Sequence, residues 1–74
     1  MSFRAYIATR RITDTPAGDF VSDAKRDQGL PDAATWEELH SYLLRNGASR
    51  EAIAAGRTVW ARYLAKRRRE SKNA

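Results

Sequence analysis

The sequence predicts an all-α fold, a compact cluster of four helices of which the last is the longest. Three observations carry that expectation. Apolar residues recur at helical spacing in four separate segments, and no stretch alternates as a convincing strand would. The segments open on Ser, Thr or Asp, the residue types whose side chains satisfy free amides at a helix start. Pro16 and Pro31 fall at segment boundaries, where a missing N–H and a fixed φ are tolerated.

The first helix is expected from a Ser2 cap through Arg10, with Phe3, Tyr6 and Ile7 on one face. Asp14-Thr15-Pro16 starts the second, whose apolar stripe is Ala17, Phe20, Val21 and Ala24. Gly29 is expected to stop it, and Leu30-Pro31 to force an extended segment. Thr35-Trp36-Glu37-Glu38 fits a capping box, in which Thr oxygen and Glu carboxylate satisfy amides reciprocally. Trp36, Leu39, His40 and Leu43 follow at helical spacing, and Asn46-Gly47 ends the third helix. Ser49 caps the fourth, expected to run to about Arg68 with the stripe Ile53, Gly56, Trp60, Tyr63 and Leu64. The expected division is thus a helical domain over 1–68 and a basic, frayed tail over 69–74.

A chain of 74 residues allows one domain, and its small core must be stabilised by packing or by a partner. It contains no Cys and one His, so neither a disulfide framework nor a protein-built metal cage is expected. No window approaches the roughly 18 apolar residues of a membrane span, and Met1 to Arg11 lacks the unbroken apolar run of a signal peptide. A reducing cytoplasm is the expected setting.

Catalysis is not expected. His40 is the only imidazole and lies within an apolar stripe, where its ring reads as a core-edge residue. Glu37 and Glu38 are adjacent and do not face each other on a helix; capping and the helix dipole account for them. Gly18, Gly29, Gly47 and Gly56 are scattered singly and form no phosphate loop. No cofactor, metal or small-molecule substrate is implied. The aromatic residues are read as core, with Tyr42 the main one expected in solvent.

Charge is the more informative property. The net charge is +5, and it is unevenly placed. Residues 1–49 carry six Lys/Arg against seven Asp/Glu, whereas residues 50–74 carry eight against two. Arg62, Lys66 and Arg69 share one helix face, Arg50, Arg57 and Arg68 another, and Lys66-Arg67-Arg68-Arg69 packs four like charges together. Cations near a helix C-terminus favour its dipole, but four in a row exceed what the dipole rewards. Phosphate contact is the usual employment of such a cluster. The expectation is therefore a binding module whose Arg62, Lys66, Arg67, Arg68 and Arg69 touch a nucleic-acid backbone without base selection. Arg10 and Arg11 join them if the first and fourth helices pack side by side.

A narrower version makes Asn46 to Ser49 the turn of a helix-turn-helix, with Arg50, Glu51, Ala54 and Arg57 offered to a groove. The rival expectation is a protein-interaction module. Asp19, Asp23 and Asp27 line one face of the second helix and offer an acidic docking strip, while the basic helix offers a dock for an acidic partner. Head-to-tail self-association would use both.

Several elements together resemble a known family. Ser2-Phe3-Arg4-Ala5-Tyr6-Ile7 is similar to the S-F-x-x-Y-[LI] opening of the YozE SAM-like family, and Phe20 to its helix-two Phe. Asp27-Gln28-Gly29-Leu30-Pro31 resembles its D-x-x-[FL]-P connection, and Ser41-Tyr42-Leu43 and Trp60-Ala61-Arg62-Tyr63 its later Y-L and W-x-x-Y elements. The similarity runs from Ser2 to about Leu64. It implies a four-helix fold similar to sterile alpha motif domains, and it implies no catalytic residues. Members of that family are often acidic, whereas this chain ends strongly basic.

Overall fold

The computed structural model describes residues 1–72, which form α1 (Phe3–Thr9), α2 (Pro16–Arg26), α3 (Trp36–Arg45) and α4 (Arg50–Lys72). No strand occurs among the described residues. All four helices start on a hydroxyl. Ser2 Oγ accepts from the Ala5 N–H at 3.2 Å, Thr15 Oγ1 from Gly18 at 3.0 Å, Thr35 Oγ1 from Glu38 at 3.2 Å and Ser49 Oγ from Ala52 at 3.1 Å. Each bond satisfies an amide that the helix itself leaves free.

The α3 start departs from the expected capping box by one residue. The Glu38 carboxylate accepts from the Ala34 N–H at 3.1 Å rather than from the cap residue. At the other end of α3, Gly47 adopts φ +71°, which only glycine takes without penalty. The Gly47 and Ala48 amides then close on the Leu44 and Leu43 carbonyls, a Schellman ending that turns the chain directly into α4.

α1 ends at Thr9, one residue short of the expected Arg10, which caps it; two boundaries differ by more, each for a local reason. α2 ends at Arg26, not at Gly29. Asp27 caps it, and the Asp27 carboxylate accepts from the Gly29 N–H at 2.9 Å, so an Asx turn redirects the chain before the glycine is reached. α4 continues past Arg68 to Lys72, because Arg, Lys and Glu are good helix formers and no Gly or Pro interrupts them. The helix therefore runs through the expected 68/69 boundary, and residues 73–74 of the expected tail lie outside the described residues.

The core forms where the four apolar faces meet. Phe3 and Leu39 are fully buried. Phe3 seats α1 on α4, with its ring centroid 5.0 Å from Trp60 and 5.3 Å from Tyr63, and Tyr6 lies 5.4 Å from Tyr63. Tilted and edge-on rings at these distances are attractive beyond the area they bury. Full burial of a side chain of Phe size contributes roughly 1.5–3 kcal/mol, so this cluster is a large share of a small domain's stability.

α2 and α3 converge on α4 at Gly56. A Cβ there would lie 2.9 Å from the Phe20 ring and 3.3 Å from Leu43 Cδ1, so only glycine lets the three helices approach this closely. The buried face of α4 is Ala55, Gly56, Val59, Trp60 and Tyr63. Val59 and Ala55 thus take the place expected for Leu64, which is 36% exposed because the globule ends at Tyr63. Trp36 and His40 sit half-buried at the edge, stacked on each other at 5.2 Å.

Candidate functional site

The loop that leaves α1 carries Arg10 and Arg11, and the ring packing of α1 on α4 brings both beside Arg62. Together with Thr9, Thr13 and Tyr6 they line a groove of about 380 Å³. Arg10 is held rather than free. Its Nη2 and Nε donate to Thr9 Oγ1 at 3.2 and 3.4 Å, and its guanidinium carbon lies 4.6 Å above the Tyr6 ring centroid. A guanidinium stacked this way loses little freedom on meeting an anion. Arg11 and Arg62 are exposed.

Lys66, half-buried, lies one turn beyond Arg62, and Arg69 continues the same flank. Arg67 leans back on the core, with its guanidinium carbon 5.6 Å from the Tyr63 ring centroid. Arg68 takes a different side, beside Leu64 and Ser71. The seven cations expected from sequence therefore divide: Arg10, Arg11 and Arg62 share the groove, Lys66 and Arg69 extend it, and Arg67 and Arg68 stand round the helix from it. Among the described residues, no carboxylate lies within 4.0 Å of Arg62, Lys66, Arg67, Arg68 or Arg69; the one ion pair is Arg26–Asp23 at 3.5 Å.

Thr9, Thr13 and Tyr6 are groove residues that sequence reasoning passed over. Nothing in their own pattern marks them, since their contribution depends on Arg62 arriving from the far end of the chain.

The acidic strip is rearranged. Asp27 turns into the α2–α3 connection, where its carboxylate accepts from the Gly29 amide and from the Tyr42 hydroxyl. Tyr42 is accordingly half-buried, not the open aromatic expected. Its hydroxyl pKa is raised above 10.0, first by that hydrogen bond, then by burial and the Asp27 charge. Asp19 and Asp23 remain exposed and share a cleft with Glu51 at the start of α4. The α4 start thus carries the carboxylates of Asp19, Asp23 and Glu51 alongside Arg50, and carboxylates there would oppose the phosphates that a helix-turn-helix reader must approach. Arg57 is also occupied there, lying 5.1 Å from the Trp36 ring centroid.

Among the described residues no group of His, Cys, Asp or Glu is placed to hold a metal ion, and no helix is long and apolar enough to cross a membrane.

The chain's relationship agrees with this architecture. The model of the YozE SAM-like fold family matches residues 2–65, and the chain belongs to that family. Comparisons with curated proteins and with solved structures returned no match. The match ends at residue 65, so Lys66, Arg67, Arg68 and Arg69 follow the part that the family model covers.

Proposed function

We propose that this YozE SAM-like protein is a non-enzymatic binding module that contacts the phosphate backbone of nucleic acid without reading bases, in the cytoplasm. The observation that supports it is the groove of Arg10, Arg11 and Arg62, continued by Lys66 and Arg69 along α4 with no carboxylate nearby among the described residues. A fold that meant these cations only for solubility would gain nothing by converging two distant segments of chain on one hollow. Phosphate is the anion that such a set of point charges fits, and Thr9 and Thr13 offer hydroxyl donors alongside.

Backbone binding releases counterions, so its strength must fall steeply with salt. Five phosphate contacts predict a loss of roughly 500-fold between about 50 and 200 mM salt. Fluorescence anisotropy with labelled DNA and RNA measures this directly. Replacing Lys66 to Arg69 by Gln should weaken binding and flatten the salt dependence. Undetectable binding at low salt, for DNA and RNA alike, overturns the reading.

A second reading, pairing between copies of the chain, is favoured by one observation. The Asp19, Asp23 and Glu51 cleft lies at the opposite end of α4 from the cationic run, so opposite charges sit about 25 Å apart on one molecule. Charge reversal at Asp23 should disrupt assembly under this reading and leave or strengthen nucleic-acid binding under the first. A strict monomer by light scattering at high concentration and low salt removes it.

A further inference from the structure

The final part of α4 leaves the globule. Tyr63 is its last buried residue, Ala65 and Lys66 are half-buried, and every residue from Arg67 to Ser71 is exposed. The helix continues to Lys72, which projects it roughly 13 Å past Tyr63.

Lys66, Arg67, Arg68 and Arg69 are consecutive, and successive residues of an α-helix step by about 100°. Four cations in a row therefore occupy all four quadrants of this projecting segment. Arg67 and Arg69 lie on opposite sides, and Arg68 falls between them beside Leu64 and Ser71, away from the Arg10, Arg11 and Arg62 groove. A flat anionic surface or a single strand meets one side of such a helix and leaves the remaining cations repelling one another. A trough with anionic walls on both sides meets them together. The major groove of B-form DNA is such a trough: it is about 12 Å wide, a helix with its side chains is about 10–12 Å across, and phosphates edge both rims.

We propose that the projecting end of α4 lies in the major groove of duplex DNA, with Arg67, swung off the Tyr63 ring that it leans on in the free chain, and Arg69 directed to opposite backbone walls. Arg62, Arg10 and Arg11 take a phosphate at the rim, where the helix leaves the globule. This rests on the nucleic-acid reading above and narrows it to one partner. Duplex RNA is a poor substitute, because the major groove of an A-form helix is too narrow and deep to admit the segment. The charges on the helix touch walls rather than floor, so the placement needs no particular base sequence.

The test uses the intact chain with three labelled probes at one low salt concentration: a short DNA duplex, an RNA duplex of the same sequence, and one DNA strand. The DNA duplex should bind at least about tenfold more tightly than the other two. Arg67→Gln and Arg69→Gln should each weaken duplex binding several-fold and by similar factors, and each should lower the salt slope by about one. Both positions are exposed, so unchanged far-UV circular dichroism verifies that the variants fold. Equal affinity for DNA and RNA duplexes, or a loss confined to one of the two variants, overturns the groove placement while backbone binding stands. Failure to bind any probe overturns both. Tighter binding of an acidic polypeptide such as polyglutamate than of duplex DNA assigns the surface to a protein instead.

Discussion

The two ends of α4 share a backbone conformation and little else. Up to Tyr63 its inward side is Ala55, Gly56, Val59 and Trp60, chosen for size: Gly56 is small because Phe20 and Leu43 press on it. Beyond Tyr63 there is nothing to press, and four consecutive side chains, Lys66 to Arg69, are cationic ahead of Glu70. Packing governs the first region, where a single methyl group has a cost. Electrostatics governs the second, where volume is unimportant and charge decides. One helix can therefore be tested as two objects, since stability should track changes in the first region and binding, on the proposed function, changes in the second.

The strongest attempt to break this division is Phe3→Ala. It removes the ring between Trp60 and Tyr63, and a buried Phe deletion costs about 3–5 kcal/mol. A domain this small should be largely unfolded by it, as urea titration followed by circular dichroism will show. Next in size is Gly18→Ala. The added Cβ would collide with the Thr13 carbonyl oxygen, a backbone atom and not the far end of a flexible side chain, so a loss of about 2 kcal/mol is expected despite the better helix propensity of Ala. Because Thr13 and Gly18 both border the cationic groove, this variant should also weaken the proposed nucleic-acid binding.

A smaller effect is expected from Tyr42→Phe, which removes the bond to Asp27 that ties α3 to the end of α2. The Tyr42 pKa is raised on folding, so the neutral hydroxyl is the favoured form. Its stabilisation is fully present below pH 10.0 and is lost as pH rises through the folded value. The wild-type chain should therefore lose stability in alkali more steeply than Tyr42→Phe, and parallel curves would contradict the assignment. Smallest of all on stability is the Lys66-to-Arg69 Gln variant, expected within about 0.5 kcal/mol of the wild type because these side chains lie outside the core. If it instead melts far below the wild type, the two regions of α4 are not separable.

Much of the fold was legible because it is written locally. Ser2, Thr15, Thr35 and Ser49 announce helix starts by chemistry that needs only the next three residues, and the stripes of α1 and α2 follow from spacing alone. What escaped depends on residues remote in sequence. Asp27 ends α2 ahead of Gly29 while its carboxylate also receives the Tyr42 hydroxyl, and no local pattern reports that partner. Leu64 and Val59 are both apolar residues of one helix; only the place where the globule stops tells which is covered. The cations of the candidate site were legible as a count, but the groove was not. Arg10 and Arg62 are brought together by Phe3 and Tyr6 packing on Tyr63, which is a property of two helices and not of either segment.

Tyr63 has a consequence for handling the protein. Besides packing against Phe3 and underlying Arg67, its hydroxyl donates to the Met1 carbonyl at 3.3 Å. Any polypeptide fused ahead of Met1 therefore emerges at the foot of the projecting helix. An acidic purification handle or fluorescent reporter attached there would crowd the arginines and compete with the anion proposed to meet them. Labels for solution work belong on the outer face of α3, at Ser41 or Arg45, which are exposed and remote from that junction.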